Sequence, residues 1–159
     1  MTTMTPIFID IEASSLTGWP IEIGMSRLAP IGIETWSCLI QPRPGWREAD
    51  WDPRSAEIHG IAREQLHTAP AAEIVAEAVE ARLGGHVLSD CPEFDGKWLT
   101  MLLRRPVNLM HFDDAVCETF GAEALSRAQD LLATLPHPHR AGPDAEAMAQ
   151  AWLYLVQSR

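Results

Sequence analysis

The sequence predicts an α/β fold in which a five-stranded mixed sheet is flanked by helices. Three observations predict it. Three short runs rich in Ile and other apolar residues come first, separated by turn-length gaps. Two further short apolar runs follow, each set between stretches of helix-forming composition. Gly and Pro punctuate most of the boundaries. At 159 residues, without an internal repeat, linker or low-complexity tract, the chain reads as one domain spanning residues 1–159.

The elements are expected as follows. Thr5–Glu12, Ile21–Leu28 and Ile31–Gln41 are strands, the last two joined by an Ala29-Pro30 turn that suggests antiparallel hairpins. The segment 42–53 holds Pro42, Pro44, Pro53, Gly45, Trp46 and Trp51 and reads as an irregular loop. Short helical pieces are expected around Ser55–His59 and Arg63–Leu66, and a longer helix over Ala71–Leu83, stopped by Gly84-Gly85. His86–Ser89 is a fourth strand. Pro92 opens a helix that runs to about Arg105, since proline is tolerated at the first helical position. Val107–His111 is the last strand, and helices over Ala122–Leu135 and Pro143–Gln157 complete the chain.

Composition excludes several classes. No apolar stretch approaches the roughly 18 residues of a membrane span, and the opening MTTMTPIFIDIEASS lacks the basic n-region of a signal peptide. Cys38, Cys91 and Cys117 are odd in number and scattered, which argues against a disulfide framework or zinc site and makes the cytoplasm the expected compartment. The formal charge of −10 argues against salt-driven binding to long duplexes. A nucleic-acid partner is therefore expected to be short or single-stranded.

The informative residues are acids where the pattern calls for apolar side chains. Alternation along the first strand puts Phe8, Asp10 and Glu12 on one face and Ile7, Ile9 and Ile11 on the other. Asp95 precedes Trp98, Leu99 and Leu102 on one helical stripe, and Asp144 precedes Met148, Ala151 and Leu155 on another. Taken singly these have ordinary explanations: a wet strand face, an acid facing the helix macrodipole, an N-terminal cap. Taken together, three elements each place acid on an inward-looking face. Carboxylates gathered in one cleft repel one another unless cations bind, and hard oxygen ligands select Mg2+ or Mn2+. Two such ions suit phosphodiester hydrolysis. His139, five residues before Asp144 on a proline-bounded loop, supplies a side chain able to accept a proton near neutral pH.

Four segments in order resemble the DEDDh 3′→5′ exonucleases of the ribonuclease-H-like superfamily. His139-Arg140-Ala141 with Asp144-Ala145 resembles that family's third motif. Phe8-Ile9-Asp10-Ile11-Glu12-Ala13-Ser14 resembles the first, Ile58-His59-Gly60-Ile61 an I-H-G-I segment, and Phe94-Asp95 with Trp98-Leu99 the second. The likeness runs from residue 7 to about 155, in the style of proofreading exonucleases, RNase T and oligoribonuclease. The resemblance implies two Mg2+ or Mn2+ ions, with Asp10 bridging both, Glu12 and Asp144 completing the first site and Asp95 supporting the second. It implies His139 as general base, Ala13, Ser14 and Leu16 holding the terminal nucleotide, and His59 near its base or sugar. A sister group uses tyrosine for the histidine; the sole tyrosine, Tyr154, follows Asp144, which excludes that version. Many members carry His-Asn before the second motif, where this chain has Ser89-Asp90, making Asp90 a rival to Asp95; Phe94 and Trp98-Leu99 favour Asp95.

The expected partners are single-stranded DNA or RNA 3′ ends, with no membrane. A homodimer is an open alternative, resting on an exposed last-helix face around Trp152 and Tyr154. Trp46 and Trp51 either stack on bases or cover the core edge. The competing readings are another metal-dependent phosphodiesterase or endonuclease on the same scaffold, and a catalytically silent binding or adaptor module.

Overall fold

A computed structural model describes residues 5–159; residues 1–4, the start of the stretch read above for a signal peptide, lie outside the described residues. Five strands form, β1 Pro6–Ala13, β2 Pro20–Leu28, β3 Ile33–Leu39, β4 His86–Ser89 and β5 Leu109–His111. Their order across the sheet is β3-β2-β1-β4-β5. β1, β2 and β3 pair antiparallel through short connections, whereas β4 and β5 join parallel to β1 after helical crossovers. The mixed sheet follows from that difference in connection length.

The helices are α1 Pro53–His59, α2 Ala72–Glu80, α3 Pro92–Leu103, α4 Phe112–Phe120, α5 Ala122–Thr134 and α6 Ala141–Gln157. The β1 alternation sorts two cores onto opposite faces of the sheet. Ile9 and Ile11 pack with Val75, Trp98 and Leu99 beneath α2 and α3. Phe8 packs with Phe112, Met148 and Trp152 beneath α4 and α6. Asp10 and Glu12 therefore emerge on the side covered by α6, whose first turns carry Asp144.

Several expectations change. Trp152, expected on an exposed face, is 2% exposed and wedged among Phe8, Phe112 and Phe120. The exposed apolar residues of α6 are Tyr154 and Val156. α4 escaped the sequence reading because no loop introduces it: the last strand residue, His111, is itself the N-cap, its Nδ1 accepting the Asp113 N–H at 3.1 Å. α2 ends at Glu80, ahead of Gly84-Gly85, with the Arg82 and Leu83 N–H groups closing onto the Val79 carbonyl. α6 begins at Ala141, not Pro143; as the third helical residue Pro143 gives up an N–H that has no intrahelical partner there. The 42–53 loop contains one 3-10 turn, Glu48–Asp50. Trp46 stacks on the buried Trp19 at 6.0 Å, and Trp51 tilts against the same ring. Both indoles cover the edge of the core.

Close approach of α6 to the sheet requires Gly24. A Cβ there would lie 2.0 Å from the Ala141 carbonyl oxygen. Gly24 is the register partner of Asp10, so the same absence of a side chain lets the first turn of α6 reach the acidic strand.

Candidate active site

β1 and β4 run parallel, so their carboxyl ends open on one side of the sheet, where open α/β folds place ligands. Four acids converge there from three elements, and a fifth, Asp90, joins them just beyond β4. One oxygen each from Asp10, Glu12 and Asp144 lies within 4.8 Å of the others, and Asp10, Asp90 and Asp95 form a second such group. Asp10 is common to both. Asp90 and Asp95 are thus not alternatives, since the structure brings both to Asp10. The acids line a cleft of about 370 Å3, together with Leu16, Phe94, Trp98, His137 and His139.

Asp95 and Asp144 are held by local structure. Asp95, 3% exposed, sits in the first turns of α3, and its Oδ2 accepts the Ser89 hydroxyl at 2.5 Å. That hydroxyl in turn accepts the Cys91 N–H at 2.9 Å, so Ser89 orients Asp95 across the β4–α3 turn. Asp144 divides its oxygens: Oδ2 accepts the Arg140 N–H at 3.1 Å, a capping bond, while Oδ1 is buried without a partner. Both the capping reading and the cleft reading of Asp144 therefore hold, one per oxygen. Asp10 Oδ2 is likewise buried without a partner.

The electrostatics are those of an uncompensated cluster. Burial, followed by the charges of Asp95, Glu12, Asp90 and Asp144, pushes Asp10 up to about 10. Burial and then Asp144 raise Glu12 to about 8, with Arg140 opposing. Burial raises Asp95 to about 7 against the Ser89 hydrogen bond. Burial also raises Asp144, against the Arg140 N–H and the neighbouring His137 and His139. Among the described residues no Lys or Arg makes an ion pair with any of these five acids. The donor set is all carboxylate oxygen and two of its oxygens are buried without a hydrogen-bond partner, while His137 comes within 4.0 Å of Asp144. Those are the properties of a site that fits hard divalent cations.

His139 is exposed on the loop ahead of α6 and occupies the left-handed region, φ 52°. His137 lies beside it, its Nε2 at 2.8 Å from the Leu132 carbonyl and its Nδ1 at 4.0 Å from Asp144 Oδ1. The remaining predicted contacts separate. Leu16 is 67% exposed at the cleft. Ala13 and Ser14 are buried, and Ser14 Oγ donates to the Asp50 carbonyl and accepts the Trp19 N–H. His59 is 4% exposed beneath Trp51, with Nδ1 accepting the Ile61 N–H at 3.0 Å and burial lowering its pKa. Sequence reasoning missed the Ser89 bond to Asp95, the convergence of both Asp90 and Asp95 on Asp10, and Glu22, an acid inside the apolar β2 run that bonds Arg140. A charge amid apolar strand neighbours was the available signal for Glu22.

No protein-family model matches the sequence, and no curated protein matches it. Solved structures do. A 3′-exonuclease solved in 3′-end recognition of a histone mRNA stem-loop is 16% identical, with a TM-score of 0.68 over 98% of this chain and 82% of that one. A full-length 3′-exonuclease is 15% identical, with a TM-score of 0.69 over 98% of this chain and 82% of that one. Exonuclease X, solved with 5′-overhanging duplex DNA, is 21% identical, with a TM-score of 0.65 over 96% of this chain and 92% of that one. The chain has the fold of these 3′-exonucleases, a ribonuclease-H-like mixed sheet flanked by helices.

Proposed function

We propose that this chain is a DEDDh-type, metal-dependent 3′→5′ exonuclease that removes 5′-nucleotides from single-stranded DNA or RNA 3′ ends, acting as one exonuclease domain. The observation that carries the reading is the pair of carboxylate groups sharing Asp10 at the mouth of the exonuclease fold. Asp10, Glu12 and Asp144 would hold one cation, and Asp10, Asp90 and Asp95 the other. Two Mg2+ or Mn2+ ions, when bound, neutralise the cluster and polarise the scissile phosphodiester.

The chain's own residues supply the rest. His139, at the rim of the cleft, accepts the proton of the attacking water. Leu16, Phe94 and Trp98 offer apolar surface to the terminal nucleoside. Ala13 and Ser14 shape the turn under it from inside, and His59 supports that turn beneath Trp51. The partners are 3′ ends short or flexible enough to place a single strand in a cleft of this size. The acidic chain, −10 overall, disfavours extended duplex contacts. No described helix is long and apolar enough to cross a membrane.

Calorimetry tests the cation sites directly. Mn2+ is expected to bind the wild-type chain with release of protons, because the carboxyls hold protons until the ion displaces them. Asp10→Asn is expected to lose most of that binding. Unchanged Mn2+ binding in Asp10→Asn would contradict the shared-ligand arrangement. Cleavage of a circular single strand would favour an endonuclease instead.

A further inference from the structure

Glu22 is a buried carboxylate beside the cleft whose two oxygens both accept hydrogen bonds. It is 3% exposed on β2, directly across from Glu12 in the strand register. Its Oε1 accepts Arg140 Nη2 at 2.6 Å and its Oε2 accepts Arg140 Nε at 2.9 Å, the two-pronged geometry that only a guanidinium provides. Oε2 also accepts the Ala141 N–H at 3.0 Å. Arg140 is the N-cap of α6, and its own N–H donates to Asp144 Oδ2. One residue thus joins the sheet through its side chain to a cleft carboxylate through its main chain. The residue before it, His139, has a left-handed backbone that costs a non-glycine residue energy and persists only where the surroundings enforce it. The side-chain hydrogen bonds that tie Arg140 and Ala141 to the sheet all end on Glu22.

We propose that Glu22 and Arg140 are positioning residues: their ion pair, buried on the Glu22 side and partly exposed on the Arg140 side, pins the start of α6 to β2 and so fixes both the backbone of His139 and the orientation of Asp144. The pair also places one permanent positive charge near Glu12, with the guanidinium hydrogen-bonded to Glu22 rather than to a cleft acid. Lysine at position 140 keeps the charge but cannot form the fork. Glutamine at position 22 keeps the shape but not the charge. Either change frees the loop while leaving every cation ligand and His139 in the chain.

The kinetic arm of the test rests on the exonuclease reading; the spectroscopic arm does not. Trimming of a 5′-labelled oligonucleotide is measured for wild type, Arg140→Lys and Glu22→Gln, with melting curves confirming that each variant is folded. The expected result is a fall in kcat on the order of 10²-fold with KM changed little, since misplacement of a reacting group has that size of effect. In parallel, the His139 ring signals are followed by NMR in wild type and Arg140→Lys. They are expected to shift and sharpen toward those of a mobile loop histidine. Wild-type kcat and an unmoved His139 signal in folded Arg140→Lys would overturn the proposal and leave the pair a fold-stabilising contact. If both variants fail to fold, the wild-type Arg140 Nε–H signal decides: slow exchange with water supports the pin, and fast exchange overturns it. If wild type does not trim at all, the exonuclease reading fails while the His139 and Arg140 signals still judge the pin.

Discussion

At the scale of single residues, the governing quantity is the cost of gathering carboxylates in a half-buried cleft. Asp10, Glu12 and Asp95 hold their protons to about 10, 8 and 7. In the unfolded chain such groups titrate near 4. Folding therefore favours the protonated forms. The stability this contributes is complete below about pH 4 and is lost as pH rises through those folded values. With cations removed by EDTA, the melting temperature is expected to fall as pH is raised from 5 to 9. Added Mn2+ should flatten or reverse that slope, because ions then replace the protons. In Asp10→Asn the alkaline decline should shrink, and Mn2+ should lose most of its stabilising effect. A melting temperature independent of pH in EDTA would contradict the buried, uncompensated cluster. For His139→Ala, a loss of activity of about 10²- to 10⁴-fold is expected, the usual worth of a general base, with Mn2+ binding by calorimetry nearly unchanged. A loss of Mn2+ binding there would show that the histidine is a ligand.

At the scale of elements, the site depends on how closely α6 can approach β1 and β2. Gly24→Ala puts a methyl group into the Ala141 carbonyl. It is expected to cost about 1–3 kcal/mol, the usual penalty of overpacking, read by urea denaturation. It should also lower activity more than a remote change of equal cost, because the displaced turn carries Asp144. Wild-type stability in Gly24→Ala would show that α6 sits farther from the sheet than described. The elements were readable to different degrees. β1 was legible because Ile and Phe alternate with acid, and the α3 and α6 faces because apolar residues recur at helical spacing. α4 was not legible: its cap is a histidine already placed in a strand, so no separate start signal precedes Phe112. The Asp90–Asp95 question could not be settled from sequence either. That both acids reach Asp10 depends on the turn that Ser89 holds, an arrangement that no periodicity encodes.

At the scale of the whole molecule, two cores on opposite faces of one sheet leave the carboxyl ends of β1 and β4 as the place where three elements meet. Trp152 fastens the α4–α6 face by filling the space between Phe8, Phe112 and Phe120. Trp152→Ala is expected to destabilise the chain by about 3–5 kcal/mol. The fold class was legible from strand and helix order, and the cleft acids from four motifs in order. The tryptophan's burial was not, since an apolar helix face reads the same whether it meets the core or a second chain. Whether this cleft trims nucleic-acid 3′ ends is read from a product ladder. Matched 5′-labelled single-stranded DNA and RNA are incubated with the protein and Mg2+ or Mn2+, beside EDTA, Asp10→Ala and His139→Ala controls. Stepwise shortening from the 3′ end is expected, abolished by EDTA and by Asp10→Ala and strongly reduced in His139→Ala. Intact substrates with folded, Mn2+-loaded protein would contradict it.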